Sequence, residues 1–128
     1  MKVKESAFWR WLKKKFDELG VLYDRIEPTV PGTPDINAIY NHKEVWIELK
    51  SESGEGINIK PWQTRWAIRR EEAGSQPFLL VKRKTSKYDQ LELYTIRNKN
   101  WVLCVVIPKI SAGYNTSELI DYIFIRRY

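Results

Sequence analysis

With 128 residues the chain has room for one domain with a buried core and too little for two, and 43% hydrophobic against 30% charged residues excludes a disordered chain. The longest apolar run, Trp101 to Ile107, falls far short of the roughly 20 residues that span a bilayer, so it predicts a buried strand and no membrane helix. Net charge is +6 with pI about 9.4, grouped at Lys13-Lys14-Lys15, Arg65 with Arg69-Arg70, Lys82-Arg83-Lys84 with Lys87, and Arg126-Arg127, which suits either a polyanionic partner or a set of solvated faces.

In chain order, Ser6 to Leu19 predicts a helix, because Phe8, Leu12, Phe16 and Leu19 recur at helical spacing and Gly20 supplies a stop. Trp9 and Trp11 lie on opposite flanks of that helix. One small core should leave at least one of them poorly covered, which points to an interface. Val21 to Glu27, β-branched and aromatic, predicts a strand, and Pro28, Pro31, Gly32 and Pro34 then break regular structure. Asp35 to Tyr40 and Lys43 to Lys50 follow as strands of a hairpin around Asn41-His42, which makes His42 a surface turn residue rather than a general base. Ser51 to Asn58 has little to pack and is expected to be a mobile loop.

Pro61 to Ala73 predicts the second helix, with proline in its first turn and Gly74 as its stop. Trp62, Trp66 and Arg69 recur at helical spacing there; the tryptophans are expected in the core, and the arginines at phosphate or in solvent. Phe78 to Val81, Leu91 to Ile96 and Trp101 to Ile107 read as strands, the last two joined through Arg97 to Asn100, and Thr116 to Ile125 as a closing helix. Cys104, the single cysteine, is expected to be a small core side chain. It excludes a disulfide framework and a thiolate zinc site. With no apolar signal stretch after Met1, it predicts a cytoplasmic protein, in the host cytoplasm if a virus encodes it. There is no repeat or linker, so residues 1–128 are expected to form a single α/β domain.

The stretch that carries chemistry is Gly32-Thr33-Pro34-Asp35 followed by Trp46-Ile47-Glu48-Leu49-Lys50. Strand side chains alternate, so Glu48 and Lys50 project from one face while Ile47 and Leu49 point to the other. If the strand of Asp35 pairs with this one, two carboxylates converge beside an ammonium. Such oxygens suit Mg2+ or Mn2+, and phosphodiester cleavage needs a metal to polarise the phosphate and acidify a water. The lysine can orient that water or neutralise charge developing on the phosphate.

Pro34-Asp35 followed by Glu48-Leu49-Lys50 resembles the signature of the PD-(D/E)XK nucleases, and the chain is most similar to the VRR-NUC nucleases and, more distantly, the archaeal Holliday junction resolvases. Over residues 5 to 83 the ordered set is Glu5, Gly20, Gly32 to Asp35, Glu48 to Lys50, and Gln63. The resemblance implies a restriction-endonuclease-like core of helix, three strands, helix and strand, here with an extra β-hairpin and a C-terminal helix. It implies catalytic Asp35, Glu48, Lys50 and Gln63, and a metal set of Glu5, Asp35, Glu48 and Leu49. Glu5 also falls within the apolar arc of its helix, where an acid needs a reason; otherwise it is a solvated residue at the helix start. Gln63 would contact the scissile phosphate or the lysine, or else is an exposed polar residue.

Nucleic-acid contacts are expected at Lys60, Arg65, Arg69 and Arg70, and at Lys13 and Lys14. The function implied is a metal-dependent endonuclease on branched or otherwise structured DNA, such as a Holliday junction, acting as a homodimer without membrane attachment. The alternative is a nuclease-like module that grips nucleic acid without cutting it.

Overall fold

Helix α1 (Ala7–Leu19) begins at Ser6, whose Oγ accepts from the Trp9 N–H at 3.1 Å, and ends at Gly20 in the left-handed conformation (φ 77°). The computed structural model describes residues 6–27 and 31–128. Among the described residues six strands follow: β1 (Leu22–Arg25), β2 (Ile36–Tyr40), β3 (Lys43–Glu52), β4 (Pro77–Lys84), β5 (Asp89–Arg97) and β6 (Asn100–Pro108). They form one sheet in chain order, antiparallel except that β3 and β4 run parallel. A parallel pair needs a crossover, and α2 (Pro61–Glu72) supplies it. Asn41-His42 (φ 54° and 61°) and Asn98-Lys99 (φ 51° and 63°) take the paired left-handed geometry of two-residue hairpin turns. His42 is exposed.

Register decides what each face of the sheet carries. Ile36, Ala38, Val45, Ile47, Phe78, Leu80, Leu91 and Leu93 share one face and pack against Phe8, Trp9, Leu12 and Phe16 of α1 in the main core. The chain closes on that core with α3 (Thr116–Ile120) and a π-helical turn (Asp121–Ile125), which bury Leu119, Ile123 and Phe124. Trp46, Glu48, Lys50, Leu79, Val81 and Arg83 point the other way. Helix α2 lies over this second face, where Trp66 meets Trp46 at 5.4 Å and Trp101 Nε1 donates to Thr64 at 3.1 Å.

The mixed α/β class and the element order are as the sequence predicts. Several expectations are corrected. Strand β6 is an edge strand with Val102, Leu103 and Val106 substantially exposed, not a buried one, and Cys104 in it is half-buried beside a register shift. Periodicity cannot distinguish an edge from a centre. Strand β4 is longer than Phe78 to Val81, because Lys82, Arg83 and Lys84 keep pairing with β5. Trp9 is buried and Trp11 packs edge-on against Tyr114 at 5.4 Å, so the C-terminal segment covers the flank assigned to an interface. Leu19, at the end of its helical arc, is exposed.

Candidate active site

Asp35 closes the proline-rich break and stands one residue ahead of β2. Its Oδ2 accepts from the main-chain N–H of Leu49 at 2.8 Å. That bond ties the carboxylate to the strand carrying the other two candidates. Alternation on β3 sets Glu48 and Lys50 on one face, with Lys50 Nζ 3.7 Å from Glu48 Oε2. Gln63, in the first turn of α2, donates from Nε2 to the same Glu48 oxygen at 3.2 Å and accepts the Lys60 N–H on Oε1 at 2.9 Å. The expected partner of Gln63 was the phosphate or Lys50; in the folded chain it meets Glu48.

Glu48 is 7% exposed. Burial, then the charge of Asp35, push its carboxyl up to about 8, while Lys50 pulls the other way. Two carboxylates near enough to share a proton are the donor set a hard divalent cation suits, since a dication removes their repulsion. Among the described residues no group of three or more His, Cys, Asp or Glu side chains that could hold a metal ion occurs. Asp35 and Glu48 offer such an ion two carboxylates, short of a full ligand set. Leu49 could add only main-chain atoms, and Glu5 lies outside the described residues.

Arg25, which the sequence reading passed over, completes the site. Antiparallel pairing of β1 with β2 puts it opposite Ile36, and its Nη1 is 3.6 Å from Asp35 Oδ1. The guanidinium lies 5.3 Å from the Trp9 ring centre, and Nη1 is buried without a hydrogen-bond partner among the described residues. The only signal in the sequence was a lone cation at the end of a short strand.

The basic residues divide between the faces. Lys60, just before α2, and Arg65, Arg69 and Arg70 on it are exposed on the side of Glu48 and Lys50, whereas Lys13 and Lys14 are exposed on α1 across the sheet. Arg83 leaves the expected polyanion cluster. It is 4% exposed, paired with Glu92 at 2.7 Å, and donates to the Gly54 and Gly56 carbonyls. Tyr88 adds a bond to Glu55, and Glu52 accepts the Asn58 N–H. The loop expected to have little to pack is thus held in place from β4. Trp62, expected in the core, is 44% exposed, and Trp66 is half-buried.

In sequence, no protein-family model and no curated protein matches the chain. In structure it is similar to the Holliday junction resolvase Hjc of the archaeal hyperthermophile Archaeoglobus fulgidus, with a TM-score of 0.55 and 16% identity, over 88% of this chain and 96% of that one. The two chains share a fold. The resemblance to the archaeal Holliday junction resolvases drawn from the motif therefore extends to the fold.

Proposed function

We propose that this protein is a Mg2+- or Mn2+-dependent endonuclease that hydrolyses phosphodiester bonds of branched or otherwise structured DNA as a homodimer. The observation that carries the reading is the convergence of Asp35, Glu48 and Lys50, with Glu48 buried and pushed up by its neighbour's charge. A bound divalent ion supplies polarisation of the phosphate and an acidified water. Asp35 and Glu48 would hold it, with Leu49 and Glu5 as the remaining members of the set. Lys50, kept near by Glu48, orients the water or neutralises charge at the phosphate. Gln63 fixes the orientation of the Glu48 carboxylate, and Arg25 sets a positive charge beside Asp35.

Lys60, Arg65, Arg69 and Arg70 would hold phosphates on the side of Glu48 and Lys50, while Lys13 and Lys14 would meet DNA arms that bend round the sheet. The choice of branched DNA rests on the similarity to a solved junction resolvase. One active site per chain favours a two-fold pair for cutting two strands. The exposed apolar edge of β6 is the surface that supports pairing, since Trp9 and Trp11 are covered within the chain.

Purified protein with Mn2+ or Mg2+ should cut labelled four-way junctions or flaps in preference to duplex and single strand, and excess chelator should abolish the cutting. Undiminished cutting in chelator, or none with either ion, would overturn the reading. In the latter case the module that grips without cutting takes its place.

A further inference from the structure

Two stripes run along α2: Trp62, Trp66 and Arg70 in one, and Arg65 and Arg69 in the other. Together with Pro31 they line a groove of about 520 Å3, and none of the described residues lining it is acidic. Trp66 is stabilised edge-on against Trp46, and the Arg70 guanidinium lies 4.5 Å from the Trp66 ring centre. Trp62 keeps 44% of its surface in solvent among these cations. Such an indole is costly to leave in water and offers a flat face.

The groove adjoins the catalytic residues. Gly32, three places before Asp35, has φ 93°, and a Cβ there would collide with the main-chain carbonyl of Trp62. The turn that delivers Asp35 is thus pressed against the first turn of α2. The next residue, Gln63, bonds to Glu48.

We infer that this groove binds an unpaired stretch of DNA beside the cleavage site, with a base stacked on Trp62 and the flanking phosphates on Arg65 and Arg69. In a duplex the base faces are covered by one another, so an exposed indole has nothing to stack on. In a single-stranded stretch every base presents a face, and alternating aromatic and basic groups are what such a strand requires. The inference rests on the nuclease reading and deepens it: the preferred substrate carries unpaired nucleotides next to the scissile bond, as flaps, splayed arms and opened junction centres do.

Binding is measured by fluorescence anisotropy in chelator, where no cutting occurs, with labelled oligothymidine of about 12 nucleotides and a duplex of equal length. Oligothymidine should bind at least about tenfold tighter than duplex and should quench tryptophan fluorescence. Trp62→Ala should weaken oligothymidine binding about tenfold, the scale of one stacked base, and change duplex binding less than about twofold. Trp62→Phe, which keeps a stacking face, should retain most of the affinity and controls for folding.

Equal affinity for the two ligands overturns the inference. So does a loss in Trp62→Ala that is shared by the duplex, or no loss at all. Cleavage with Mn2+ on the same preparations separates the two readings. Failure to cut with Trp62-dependent strand binding intact would sink the nuclease and leave the groove; cutting without it would do the reverse.

Discussion

The main-chain N–H of Leu49 donates to Asp35 Oδ2 at 2.8 Å, which locks a loop carboxylate to the strand that presents Glu48 and Lys50. An asparagine in place of Asp35 can accept the same bond through its amide oxygen, so Asp35→Asn keeps this geometry and loses only the charge. It should reduce cutting by at least about a hundredfold, as should Glu48→Ala, with DNA affinity unchanged or higher because repulsion from phosphate is removed. Lys50→Ala should fail in catalysis with its fold intact. Single-turnover kinetics and filter binding on the three variants check this, and near-normal turnover in any of them removes that residue from the site.

Glu48 makes stability depend on pH in a definite direction. Its folded pKa of about 8 lies above the ordinary carboxyl value of 4.5, so the fold favours the protonated form. That contribution is complete below about 4.5 and is lost as pH rises through about 8. In chelator, Glu48→Gln should therefore gain on the wild type between pH about 6 and 9, by an amount on the order of a few kcal/mol. Mn2+ should return the loss to the wild type alone. Urea unfolding at the two pH values measures it; parallel pH dependence in both proteins refutes the assignment.

Arg83 and Glu92 form a buried pair that also carries the loop after β3. Although burial pushes Glu92 up, hydrogen bonds from Arg83, Gln90 and Tyr94 hold it below the usual carboxylate range. Arg83→Met strands that charge and should cost about 3–5 kcal/mol, with Arg83→Met/Glu92→Leu recovering part of it. Amide exchange at Asn58 should accelerate in the single variant, because the loop loses its ties at Gly54 and Gly56. Unchanged exchange would mean that the loop is held by other contacts.

The division of basic residues between the two faces can be read from salt dependence. For oligothymidine, Arg65→Ala and Arg69→Ala should each flatten the slope of log K against log salt by about 0.7 unit. Lys13→Ala with Lys14→Ala should flatten it only for a four-way junction with long arms. Identical slopes in all variants would return these residues to the solvated face.

Dimerisation through β6 predicts that Leu103→Glu/Val106→Glu sediments as a monomer at micromolar concentration with an unchanged circular dichroism spectrum, while the wild type sediments as a dimer. Both positions are exposed, so the chain itself tolerates the charges. A monomeric wild type would dispose of the homodimer and leave the metal site untouched.

Local rules sufficed for much of this chain. A strand repeats every two residues, so Glu48 and Lys50 had to share a face, and helical spacing with Ser6 and Gly20 marked α1 to within a residue. Hairpin turns at Asn41-His42 and Asn98-Lys99 were equally local. What remained depended on partners distant in sequence. Arg25 reaches Asp35 only because β1 pairs with β2, and Arg83 turns from a surface cation into a buried clasp only because β5 sets Glu92 beside it. Helical periodicity placed Trp62 and Trp66 on one stripe and could go no further. Trp46, arriving from β3, covers one of them and leaves the other in solvent, because which side chain finds a neighbour is decided by packing between elements, and spacing along one element carries no information about that.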